Sequence, residues 1–217
     1  MIVFDNDAST EGLVETLSQG GNSLKAGDTG IVYQQYKAGT ALANSVTETS
    51  LFTGTSIAPQ LVGNMAQAAV ATSVSIPSIP AGFLALGTGF SGNIYGTIAS
   101  TGTPTLRVRV VLKNSSGTIV YTLADSTATA LSAITGTTEL VVNFDAVCSA
   151  TGVSGAIIGR IAVTYGTTAT ANTVIKAVAT SGAVDTTQAY SLDVLATWGT
   201  ASASNTLNTL IGTIGVY

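Results

Sequence analysis

Over the second half of the chain, apolar side chains recur at every other position. Leu106, Val108, Val110 and Leu112 alternate with Arg107, Arg109, Val111 and Lys113, the pattern of a strand with one buried face. Asn114, Ser115, Ser116 and Gly117 read as a turn, and residues 118–123 return as the partner strand. Leu140, Val142, Phe144 and Ala146 alternate in the same way with Glu139, Val141, Asn143 and Asp145. Residues 157–165, 173–179, 190–198 and 207–216 behave similarly, and residues 45–52, 72–76 and 93–100 bring the total to about ten strands. The spacing between turns is that of sandwiches and barrels. Only residues 60–70 would fit a short helix, and no fixed-period repeat marks a solenoid. The expected fold is all-β: a two-sheet antiparallel β-sandwich of jelly-roll type, chosen over a barrel.

Upstream of residue 45 the pattern changes. Leu13, Val14 and Leu17 have a helix-like spacing that Gly12, Gly20 and Gly21 keep short. Residues 24–30 read as a turn and residues 31–33 as a short strand. The division that follows is an N-terminal arm or attachment segment over residues 1–45 and a sandwich over residues 46–217. The alternative for the first segment is that it supplies edge strands to the body.

Charge sharpens that division. Residues 49–106 contain no Asp, Glu, Lys or Arg, and the 217-residue chain has no histidine. Charged residues make up 8% of it, against about 25% in an ordinary soluble protein. Residues 1–48 hold six acids and two bases, whereas residues 49–217 hold five of each, so the net charge of −4 belongs to the N-terminal segment. A neutral body with so few charges is expected to bury much of its outside against partners. Binding nucleic acid by charge neutralisation would need the opposite sign. A membrane span is not expected, because Pro59, Pro77, Pro80, Pro104 and many small polar residues break every long uncharged run. No basic, apolar leader opens the sequence, which carries Asp5 and Asp7 instead, so synthesis and folding in a cytoplasm are expected. With Cys148 as the one cysteine, no intramolecular disulfide can form.

The same poverty thins out catalytic chemistry. Serine and threonine have no histidine to serve as base, and no lysine sits in a motif that would replace it. Asp125, Glu139, Asp145, Asp185 and Asp193 are the acids of the body, few from which to draw a hydrolytic pair. Residues 87–92 match G-x-G-x-x-G, but a strand-like stretch follows where that motif needs a helix, so they read as a flexible loop. Residues 5–9 resemble the start of a calcium loop, yet its sixth and twelfth positions are Thr10 and Thr16 where Gly and Glu are required. Cys148 and Trp198 fit core positions. Neither an enzyme, a metal site nor a cofactor is expected. The candidate contact residues are Asp5, Asp7, Glu11, Leu13 and Leu17 on the acidic segment and Arg107 and Arg109 on one strand. The arginines have two readings: a solvated row paired with nearby acids, or a docking stripe for an acidic neighbour, such as another copy's N-terminal segment.

Several stretches of the body resemble a tailed-phage virion family of minor structural proteins. Residues 47–55 (TETSLFTGT) are similar to its opening strand, residues 79–84 (IPAGFL) to its next corner, and residues 100–110 (STGTPTLRVRV) to its central strand. Residues 191–206 (SLDVLATWGTASASNT) are the most specific match. The resemblance covers about residues 46–217 and implies a jelly-roll-like domain in a phage particle. The expected role is a capsid decoration or cement protein on the head exterior, bound to the major capsid protein lattice and to other copies of itself as a homotrimer, without nucleic acid or membrane. The alternative is a tail, fibre or spike component that binds a host receptor or glycan. A secreted bacterial adhesion domain is a third reading, disfavoured by the missing leader.

Overall fold

The computed structural model of the chain describes residues 30–35, 37–52, 56–57, 78–180 and 183–217. These residues form strands and turns, with no helix among them. One sheet has eight strands. Its spatial order is β12 (Asn172–Thr180), β11 (Ala156–Gly166), β10 (Thr138–Ala150), β6 (Gly89–Ala99), β14 (Thr206–Val216), β1 (Gly30–Gln35) and β4 (Ser56–Ile57), with β2 (Leu42–Ala43) also on β14. The other sheet has six, in the order β3 (Thr49–Ser50), β13 (Tyr190–Trp198), β7 (Thr105–Lys113) and β8 (Ile119–Asp125). Here β5 (Ser78–Ile79) also pairs with β13, and β9 (Thr129–Ala130) with β7. Every pairing is antiparallel.

The connections make this sandwich jelly-roll-like. Consecutive strands β6 and β7 lie in opposite sheets, and so do β13 and β14. Because β14 pairs with β6 while β13 pairs with β7, two antiparallel ribbons wrap together around the core.

The alternation seen in the sequence fills the space between the sheets. Leu106, Val108, Val110 and Leu112 from β7 meet Ile94 and Ile98 from β6, Leu140, Val142 and Phe144 from β10, and Ile161 and Val163 from β11, all fully buried in one cluster. Trp198 belongs to that cluster, and its indole nitrogen donates to the Leu42 carbonyl at 3.2 Å. A buried indole N–H needs such an acceptor. Where β11 passes β8 the sheets come together backbone to backbone, and a Cβ on Gly159 would collide with the Leu123 carbonyl oxygen.

β1 and β2, which composition groups with the acidic segment, are woven into this sheet. β1 lies between β14 and β4, and Tyr33 and Leu42 are core residues. Tyr33 packs on Phe52 with ring centroids 4.7 Å apart. Buried Gln35 donates through Nε2 to the carbonyls of Lys37 (2.9 Å) and Thr209 (3.1 Å), while the Thr209 hydroxyl donates to the Leu51 carbonyl at 2.9 Å. Buried amides persist only when paired in this way.

Other details depart from the expected elements. The expected strand over residues 45–52 is reduced to β3, and Leu51 and Phe52 turn into the core instead. The expected loop over residues 87–92 is mostly strand: Gly87 turns the chain at φ +84°, and β6 begins at Gly89. Gly92 is required inside that strand because the Phe144 ring occupies the place of its missing side chain. The helix expected over residues 60–70 and the strand over 72–76 lie outside the described residues.

Candidate functional site

A sandwich that fills its interior with apolar side chains has two outer faces left to work with. On the outer face of the six-stranded sheet, β7 presents Arg107, Arg109 and Lys113, and each cation has a carboxylate of its own. The Arg107 guanidinium donates through Nε to Asp125 Oδ1 at 2.9 Å. Arg109 forks onto Glu48, with Nε at 2.7 Å from Oε1, and donates to the Thr122 hydroxyl at 3.2 Å. Lys113 Nζ lies 2.6 Å from Asp193 Oδ2, and the Ser50 hydroxyl donates to Asp193 Oδ1 at 2.6 Å.

These pairs differ in how far they are removed from water. Asp193 is fully buried, and Lys113 is 17% exposed at the side chain. Burial pushes the Asp193 carboxyl above the usual carboxylate range, opposed by its hydrogen bonds from Lys113 and Ser50. At the other end of the row, the hydrogen bond from Arg107 holds Asp125 below that range, and the Arg107 side chain is 41% exposed. Val111 and Leu195, which point outward beside these pairs, are buried outside the main core cluster. This face is a wall of satisfied charge and closed apolar contact.

The Asp125 corner carries the clearest backbone strain. Thr127 has φ +56°, a left-handed conformation that a β-branched residue enters at a cost. Its N–H donates to Asp125 Oδ1 at 2.8 Å and its hydroxyl to the Ser126 carbonyl at 2.7 Å. The strain is absorbed in holding the carboxylate that binds Arg107.

The outer face of the eight-stranded sheet is of another kind. Register sets Val174 on β12, Thr164 on β11, Val141 on β10, Tyr95 on β6 and Ile211 on β14 side by side in a single row. Val174 is 45%, Tyr95 42% and Ile211 51% exposed. Asn93, Asn143 and Thr213 form the adjoining row with Lys176. Asp145 and Arg160 pair across β10 and β11 at 2.9 Å. Beyond the other side of the apolar row, a cleft of about 590 Å³ opens among Thr97, Thr135, Thr138, Glu139, Thr168 and Asn172. Glu139 is the only carboxylate in its lining, so the cleft offers hydroxyl and amide hydrogen bonds with one acceptor charge, not a pair of acids.

The candidate residues named from sequence are distributed as follows. Arg107 and Arg109 are neighbours on one face, each engaged with a carboxylate of the chain itself. Asp5, Asp7, Glu11, Leu13 and Leu17 lie outside the described residues. Asp185 caps its own turn through Thr187, whose hydroxyl donates to Oδ1 at 2.6 Å. Cys148 is buried, with its thiol pushed up by desolvation. The described residues hold no cluster of three or more metal-ligating His, Cys, Asp or Glu side chains. They also include no helix long and apolar enough to cross a membrane. The row through Tyr95 was missed from sequence: alternation says which side chains point outward on each strand, but not which of them stand side by side.

No family model matches the chain, and no curated protein sequence matches it. Among solved structures, one similar chain is arcelin-5, a lectin-like defense protein from Phaseolus vulgaris, at 9% identity and a TM-score of 0.28, over 64% of this chain and 75% of that one.

Proposed function

We propose that this protein is a non-enzymatic virion structural protein, a capsid decoration protein that binds the head lattice through many weak contacts. One observation carries this reading: the outer face of the eight-stranded sheet spreads an uncharged row across five strands, with Val174, Tyr95 and Ile211 exposed, while the cations of the opposite face are spent on internal partners. A lattice ligand needs a neutral, rigid body, because small apolar contacts sum by avidity when the binding sites repeat. The resemblance of residues 100–110 and 191–206 to phage minor structural proteins points the same way; these stretches supply β7 and β13. The acidic segment ahead of β1 would select the site on the lattice.

The experiment is to remove residues 1–29, which leaves β1 and its buried Tyr33 and Gln35 in place. A cut at residue 40 would take β1 away and confuse folding with binding. The truncated protein is expected to unfold at the temperature of the full chain and to lose binding to purified particles. Undiminished particle binding would refute the role given to this segment. A tail or fibre component with a glycan site is the second reading, favoured by the threonine-lined cleft and Glu139. Copy number separates the two, since a head lattice takes far more copies than a tail.

A further inference from the structure

We infer that the outer face of the eight-stranded sheet is an interface between two copies of this chain, set face to face about a two-fold axis along the row through Tyr95. The inference rests on the reading of a protein that works by contact: it gives this face to a second copy and leaves lattice contact to the acidic segment ahead of β1, doubled in the pair. Three observations lead to it.

The first is area. Five strands at about 4.8 Å spacing and about nine residues at about 3.4 Å rise give roughly 700 Å². A standard protein interface takes about 800 Å² from each partner. The face is therefore large enough for a stable pair, and exposed Tyr95 and Ile211 stand side by side on it with Val174 in the same row.

The second is charge. Arg160 and Asp145 neutralise each other, which leaves Lys176 and Glu139 as a balanced remainder on the face. A surface built for an acidic or basic partner would carry a surplus of one sign. A surface with none can meet its own copy without like-charge repulsion.

The third is register. Val174, Thr164, Val141, Tyr95 and Ile211 share one level across the strands. The level on one side holds Lys176, Asn143, Asn93 and Thr213, and the level on the other holds Glu139, Thr97 and Asn208. A two-fold along the middle row lays the apolar row on its counterpart and exchanges the flanking levels. Asn93 of one copy then faces Thr97 of the other, and Thr213 faces Asn208, each an amide against a hydroxyl. Lys176 comes to the same level as Glu139 of the other copy, two strands across the sheet. An isologous contact of this kind closes at two copies, where the resemblance alone suggested three.

Sedimentation velocity of the full chain over a range of concentrations tests the inference. The wild type is expected to sediment as a dimer at tens of micromolar, as roughly micromolar affinity requires. The double variant Tyr95→Ser with Ile211→Ser is expected to weaken dimerisation at least about tenfold. Thr164→Arg, which sets like charges against each other on the axis row, is expected to do the same by repulsion. Val120→Ser removes an exposed apolar side chain from β8 in the other sheet and is expected to leave the dimer intact. A wild-type monomer at about 100 μM, a trimer, or a dimer indifferent to both face variants would overturn the inference. Particle binding by a wild-type monomer would overturn this inference and spare the decoration reading. A dimer that binds no particle would do the reverse.

Discussion

The two outer faces of the sandwich use charge in opposite ways. The six-stranded sheet concentrates three of the five cations that lie beyond residue 48 on one strand, and each is satisfied within the chain. Val111, Asp193 and Leu195 disappear from the surface there although they point outward. The eight-stranded sheet keeps Tyr95, Val174 and Ile211 in water and carries little charge to keep them soluble. One face spends its polar chemistry on holding the fold, and the other leaves its apolar chemistry unspent. In a chain with 8% charged residues, charge is thus allocated to structure first.

The largest effect should come from the most deeply buried pair. Lys113→Met leaves Asp193 in an apolar site without its cation, and removing one partner of a buried pair costs about 3–5 kcal/mol. Burial already holds this carboxyl above its usual range, and loss of the ammonium raises it further. A carboxyl whose folded pKa is raised favours folding in its protonated form, so the deficit should shrink as pH falls through that raised value. Urea unfolding of wild type and variant from neutral to acid pH would show it. A deficit that grows on acidification would contradict the assignment.

Arg109→Ala should cost less, about 1.5–3 kcal/mol, because Glu48 and Thr122 remain closer to water than Asp193 does. Arg107→Ala should cost at most about 1 kcal/mol, since its guanidinium is largely solvated. Asp125 is held low by Arg107, so this smaller contribution is present above the ordinary carboxylate range and vanishes as pH falls through the lowered pKa. The difference between wild type and Arg107→Ala should therefore close in acid. On the opposite face, Arg160→Ala breaks a pair open to water and should move stability by no more than about 0.5 kcal/mol. Chemical denaturation of the three arginine variants side by side would rank the faces, and an Arg160 variant as unstable as that of Arg109 would erase the distinction between them.

Much of this arrangement was legible in the sequence because strands announce themselves locally. The alternation over residues 106–112 becomes β7, and those over residues 190–198 and 207–216 become β13 and β14. The turn at residues 114–117 is present, with the Asn114 side chain accepting from the N–H groups of Ser116 and Thr118 at 3.0 Å each and Gly117 at φ +77°. What depended on distant residues was hidden. Nothing near Gly92 reveals that the Phe144 ring will fill the space beside it, so a strand read as a loop. Composition cannot show that Tyr33 and Gln35 are anchored by β14, because the partner of Gln35 on that strand, Thr209, stands 174 residues away. The cations on β7 could be read as solvated or as a docking stripe until register brought Glu48, Asp125 and Asp193 beside them.

The division between the faces can be tested in one paired measurement: the unfolding midpoint and the dimer dissociation constant of Lys113→Met and of Tyr95→Ser with Ile211→Ser. The account predicts a large drop in midpoint for the first, and for the second an unchanged midpoint at dilute, monomeric concentration with weakened dimerisation. It would be contradicted if the Tyr95 and Ile211 changes unfolded the dilute protein, or if they left its association untouched while Lys113→Met cost nothing in stability.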